Sequence, residues 1–166
     1  EDVHGHAEDG TFFKHSRIHS SVNIWHPQLL AALERFMTRI GERYRDNPDV
    51  LCYEIFEEPS LVLNDPHPAP GSQLKHLPAG YSTPARAAFR HYLQDKYGSI
   101  DRLNDAWGAA HAAFSEIEPP AKLGGPDRNV AAVYDFGRFR TTSHARYFAT
   151  VAAALRKADP VHAVVP

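Results

Sequence analysis

Cysteine is nearly absent. Cys52 is the single one in 166 residues, which excludes an internal disulfide framework and any zinc site built from several thiolates. No run approaches the roughly 18 consecutive apolar residues that a membrane span needs. An excess of either charge is missing too, with 18 Lys+Arg against 20 Asp+Glu and a formal net charge of −2. Neither a nucleic-acid footprint nor a polybasic membrane patch is therefore expected. What is present is ordinary for a soluble globular chain, 43% hydrophobic and 23% charged. Thirteen prolines and eleven histidines are the departures. The sequence opens on Glu1 rather than Met, and it stops at Pro166 just as a strand begins near Val161. It is expected to be an internal piece of a longer protein, whose ends cannot report a compartment.

The first 22 residues are polar and His-rich without periodicity, and they read as loop. Pro27 then opens a helix at a position where its missing N–H costs nothing. Leu29, Leu33, Phe36, Met37, Ile40 and Tyr44 form its apolar stripe. The stop is Arg45 to Pro48, because the residue before a proline is pushed out of the α region. Residues 50–56 are an almost continuous apolar run of strand length, which suits a parallel strand covered on both faces. From Ser60 to Ser82 the chain is rich in Pro, His, Gly and Asp without pattern, and is expected to be a long functional loop. Thr83 as N-cap and Pro84 as first residue start the next helix, with Ala85, Ala88, Phe89, Tyr92 and Leu93 as its stripe and Gly98 as its end. Ser99 caps a shorter helix through Ile100, Leu103, Ala106 and Trp107, closed by Gly108. After a connector over 118–127, a long helix spans about 130 to 158. Its stripe is Val133, Phe136, Arg140, His144, Tyr147, Val151 and Leu155, apolar apart from two polar breaks. Asp159-Pro160 ends it. Strands separated by helices imply right-handed crossovers and a parallel sheet. Two strands do not complete such a sheet, so the others are expected from outside these residues or from a partner chain.

The sharpest chemical feature is Glu57-Glu58-Pro59 at the C-terminal end of the first strand. That end is where parallel α/β folds, and barrels above all, place ligands and catalytic groups. Two adjacent carboxylates there lose hydration unless a substrate or a cation compensates them. The alternative is that both face solvent in the loop mouth.

Tyr53-Glu54-Ile55-Phe56-Glu57-Glu58-Pro59 resembles the strand-four signature of clan A glycoside hydrolases, which usually ends Asn-Glu-Pro. The flanks, His26-Pro27 and Tyr44 to Val50, resemble the approach to that strand. Ala87 to Leu93, Lys96 to Ile100, Leu103 to Gly108, Phe114 to Pro119 and Asp135 to Phe139 are similar to the family 42 β-galactosidases. The resemblance runs from about Val22 to the end. It implies an α/β chain that is a slice of a (β/α)8 TIM barrel, from the loop after strand three into strand five. One catalytic domain would then take in all of 1–166.

The activity it implies is glycoside hydrolysis with retention, by two carboxylates about 5–5.5 Å apart. Glu58 matches the general acid/base. The nucleophile follows strand seven in this clan and lies outside this sequence, and Glu116 and Glu118 are no substitutes for it. The expected partner is a carbohydrate substrate, a β-galactoside or related β-glycoside, with the remainder of the barrel required for activity. Glu57 stands where the family has Asn. A carboxylate there accepts from a sugar hydroxyl but cannot donate, and its charge favours a protonated Glu58. Glu57 is thus a substrate contact, or else the mark of a relative that binds carbohydrate without hydrolysing it. Some members carry a zinc-holding cysteine cluster after strand four; the loop here has no cysteine, so no structural zinc and no cofactor are expected. His4, His6, His15, His19, His67 and His76 lack ligand spacing and read as solvated loop residues. Trp25 is a candidate sugar-stacking platform, whereas Trp107 reads as core. Glu54 shares Glu58's strand parity and is expected to point into the barrel, paired with a cation. Cys52 is expected to be a buried, inert thiol, and Asn104 and Arg90 surface or capping residues.

Overall fold

A computed structural model describes residues 22–56, 62–64, 76–121 and 123–165. Nearly all of the expected N-terminal loop, and Glu57 and Glu58, lie outside the described residues, as do His4, His6, His15, His19 and His67. Helix α1 spans Pro27–Tyr44 with His26 at its N-cap and Pro27 at its first turn. It ends one residue before the expected stop. Strand β1, Cys52–Glu54, pairs in parallel with β4, Ala163–Val165, with Tyr53 opposite Val164. Between them run α2 (Thr83–Tyr97), α3 (Ile100–Trp107), a 3₁₀ turn at Phe114–Glu116 and the long α4 (Val130–Ala158).

Local chemistry sets the helix ends. The N-cap of α2 is Ser82, not Thr83. Its Oγ accepts from the Ala85 N–H and from buried Asn23 Nδ2, so one hydroxyl caps the helix and ties it to the segment before α1. Ser99 and Asn129 cap α3 and α4 in the same way. Gly98 and Gly108 close α2 and α3 at φ +74° and +61°, where a side chain would be strained.

The core lies among α2, α3 and α4, where Phe89, Leu93, Leu103, Ile117 and Phe136 are fully buried. Trp107 is buried with them, as expected, and donates through Nε1 to Asp135. Asp135 also accepts from the Tyr97 hydroxyl at 2.6 Å and from Lys96. A buried carboxylate with three donors is compensated, and it fixes three elements at once.

Four expectations change. The 60–82 stretch is not featureless, because β2 (Val62–Asn64) and β3 (His76–Pro78) pair antiparallel within it. The first strand is shorter than 50–56 and is not covered on both faces. Tyr53 turns toward the helices, whereas Cys52 and Glu54 are exposed and Leu51 is 87% exposed. A strand's second face is covered only by tertiary neighbours, and among the described residues β1 pairs with β4 alone. Cys52 is accordingly not buried, and Glu54 has no ion pair with a described residue.

Candidate functional site

The outgoing end of β1 is held by aromatic contacts. Phe56 meets Phe148 of α4 edge-to-face at 4.1 Å and Tyr147 at 5.3 Å. His144 packs on the Phe148 ring at 4.5 Å. Beyond it, Gly137, Arg140, Thr141, His144, Ala145 and Phe148 line a cleft of about 490 Å3 along α4. The Arg140 guanidinium lies 5.8 Å from the Phe136 ring centre. Burial lowers the pKa of Arg140, with Tyr81 pulling it the other way. Burial also lowers that of His144, and the nearby charge of Arg140 adds to the effect. The two polar breaks in the α4 stripe thus gather beside the strand end. The sequence displayed them as interruptions; what it lacked was the register of α4 against β1.

The incoming end of the strand pair is fastened by Asp159. This buried carboxylate accepts from the Tyr53 hydroxyl at 2.7 Å, from His162 Nδ1 at 2.6 Å and from the backbone N–H groups of Val161 and His162. Burial alone would raise the Asp159 pKa; these hydrogen bonds outweigh it and hold the group well below the usual carboxylate range. Tyr53 is pushed up to about 12, by burial first and by the bond to Asp159 second. Asp159 thus sits at the end of the strand pair opposite to Phe56, and in parallel α/β folds ligands gather at the C-terminal strand end.

Trp25 lies at the mouth of α1 with its ring stacked on Phe139 at 5.5 Å. It also borders a second cleft, of about 270 Å3, with Tyr92, Thr142 and Arg146. Glu118 is clamped by Arg86 and Arg90, and Arg90 also donates to the Ile117 carbonyl. Arg90 is therefore a cross-brace for the connector, which sequence reading placed among surface or capping residues. Asn104 both donates to and accepts from the His111 backbone, stapling the loop after α3. Glu116 accepts from the Ala112 N–H. Among the described residues no cluster of His, Cys, Asp and Glu could hold a metal ion, and no helix is long and apolar enough to cross a membrane.

Two parallel strands joined through helices make the described chain a helix-rich α/β segment. A family model described as "Beta-galactosidase", that of glycoside hydrolase family 42, matches residues 2–165. The chain belongs to this family. A β-galactosidase of Arthrobacter sp. is 31% identical over 130 residues, covering 75% of this chain and 17% of that protein. One from Geobacillus sp. is 29% identical over 160 residues, covering 92% of this chain and 21% of that protein. The β-galactosidase of the haloarchaeon Halorubrum lacusprofundi, a solved structure, superposes with a TM-score of 0.73 at 27% identity, covering 98% of this chain and 23% of that one. The chain thus spans about a fifth of the length of the relatives it matches.

Proposed function

We propose that the whole protein is a retaining glycoside hydrolase acting on β-galactosides or related β-glycosides. In this reading residues 1–166 form one piece of a single catalytic barrel, from the loop after strand three into strand five. Residues 1–22 and 60–82 belong to its loops, the latter facing the leaving-group subsites. The observation that carries the reading is the family match over residues 2–165, in a chain that sets Glu57-Glu58 shortly after β1.

Glu58 is the general acid/base. A carboxylate from elsewhere in the barrel attacks the anomeric carbon, the bond to the departing oxygen breaks, and Glu58 passes its proton to that oxygen. Water then attacks the glycosyl-enzyme, gives its proton to Glu58 and frees the carboxylate. Glu57 accepts a hydrogen bond from a sugar hydroxyl, and Trp25 offers an aromatic surface to substrate. A carbohydrate partner and the rest of the barrel are required; no nucleic acid, membrane or cofactor enters the scheme.

Glu58→Gln in the intact protein tests it. Turnover of an unactivated β-galactoside should fall by about 10²–10⁴-fold. Formation of the glycosyl-enzyme from a substrate with a dinitrophenolate leaving group, which needs no protonation, should be largely spared. Undiminished turnover of both substrates overturns the assignment. Galactoside binding without turnover in the unmodified intact protein would favour instead the non-hydrolysing relative, for which Glu57 in place of Asn is the supporting observation.

A further inference from the structure

The cleft of about 270 Å3 that Trp25 borders lies between α2 and α4, at the mouth of α1. Its floor is aromatic. Buried Phe139 carries the Trp25 ring stacked at 5.5 Å and the Tyr92 ring tilted at 5.8 Å. Both carried rings are half-buried, so packing holds them while part of each stays accessible. Rings held in this way lose little freedom when a ligand arrives. The Trp25 indole N–H is buried and finds no acceptor among the described residues. An unpaired buried donor is costly, and a ligand oxygen beside the indole would remove that cost. The rim is polar and carries both signs of charge. His91 and Asp95 lie one turn apart on α2, 3.6 Å from each other and largely exposed. Arg146 of α4 is exposed and has no ion-pair partner among the described residues. Buried Tyr147 also lines the cleft and sets its ring 5.3 Å from that of Phe56.

We propose that this cleft binds one neutral sugar ring, stacked on Trp25 and Tyr92 and hydrogen-bonded to Asp95 and Arg146. This rests on the reading of the protein as one that handles carbohydrate, but not on any role of Glu58. The lining selects for such a ligand. A wholly apolar ligand would strip water from Arg146, Asp95 and His91 and return nothing for it. A small anion would meet Arg146 but also the Asp95 carboxylate, and would leave the aromatic floor unused. A pyranose uses both parts. Its polarised C–H face suits the electron-rich faces of aromatic rings. Its hydroxyls donate to Asp95 and accept from Arg146 and from the Trp25 indole. The size agrees as well, because ligand pockets begin at about 300 Å3 and a cleft of this order admits a single ring.

The test is calorimetry on the intact protein, with its nucleophile first blocked by a fluorinated galactoside that traps the glycosyl-enzyme. Galactose and a β-galactobiose are then titrated as probes. Binding in the millimolar range is expected in the blocked protein. It should weaken by about tenfold in the double variant Asp95→Ala, Arg146→Ala, whose two side chains are exposed and stand outside the core. Trp25→Phe, which keeps a ring but loses the indole N–H, should weaken it too; where that variant does not fold, the exposed pair decides alone. No heat from either sugar in the blocked protein overturns the proposal, and so does undiminished binding in the double variant. If the reagent fails to label and galactosides are not turned over, it is the hydrolase reading that falls. The titration then runs on the unblocked protein, where the double variant decides the cleft by the same two outcomes.

Discussion

At the scale of single residues, two buried carboxylates do different work. Asp135 satisfies the Trp107 indole, the Tyr97 hydroxyl and Lys96 from one position. Asp135→Leu would strand the buried indole donor and turn a compensated site into an unpaired one. Lys96 is more than a third exposed and recovers water, so the cost should stop at about 2–4 kcal/mol, measurable by urea titration of the intact protein. Asp159 and Tyr53 make stability depend on pH at both extremes. The folded pKa of Asp159 is depressed, so its contribution is complete above the ordinary carboxylate value of 3.8 and fades as pH falls below it toward the depressed one. Tyr53 is raised from 10.0 to about 12, so its contribution is complete below pH 10 and is lost as pH climbs to about 12. Thermal midpoints measured across pH should decline on both sides. Tyr53→Phe should remove its part of the alkaline decline while leaving the acid decline in place.

At the scale of elements, α1 comes close enough to α4 to leave no room for a side chain at Gly41. That residue faces the Ala158 methyl, and a Cβ added there would sit 2.8 Å from it and 3.2 Å from the Leu155 carbonyl oxygen. Neither neighbour is the free end of a flexible chain, so Gly41→Val should destabilise by about 2–3 kcal/mol, read as a lower thermal midpoint. The helix pattern itself was legible. Pro27, Ser99, Gly98 and Gly108 act within a few residues of the ends they set, and such short-range chemistry is written in the sequence. Thr83 misled because Ser82 and Thr83 both carry a capping hydroxyl, and the distant Asn23 contact helps hold Ser82 in that role. The pairing of β2 with β3 was illegible, since segments of three residues leave too little periodicity to detect.

At the scale of the molecule, β1 and β4 form a two-stranded parallel pair whose face away from the described helices is open. Leu51 and Val161 are 87% and 75% exposed, and unpaired strand edges invite association. Expressed by itself, the 166-residue chain should self-associate and turn over no nitrophenyl β-galactoside; gel filtration and a chromogenic assay check both. The helices, the α/β order, the family resemblance and the acidic pair after the first strand could all be read from the amino acids alone, because each is encoded in neighbouring residues or in a run of them. Folding in three dimensions was needed to settle which face of β1 the helices cover, that Arg90 and Arg86 grip Glu118, that Asp135 joins three elements, and that Arg140 and His144 stand beyond the strand end. Those facts depend on which distant side chains meet, and contact between residues dozens of positions apart is set by how whole elements pack.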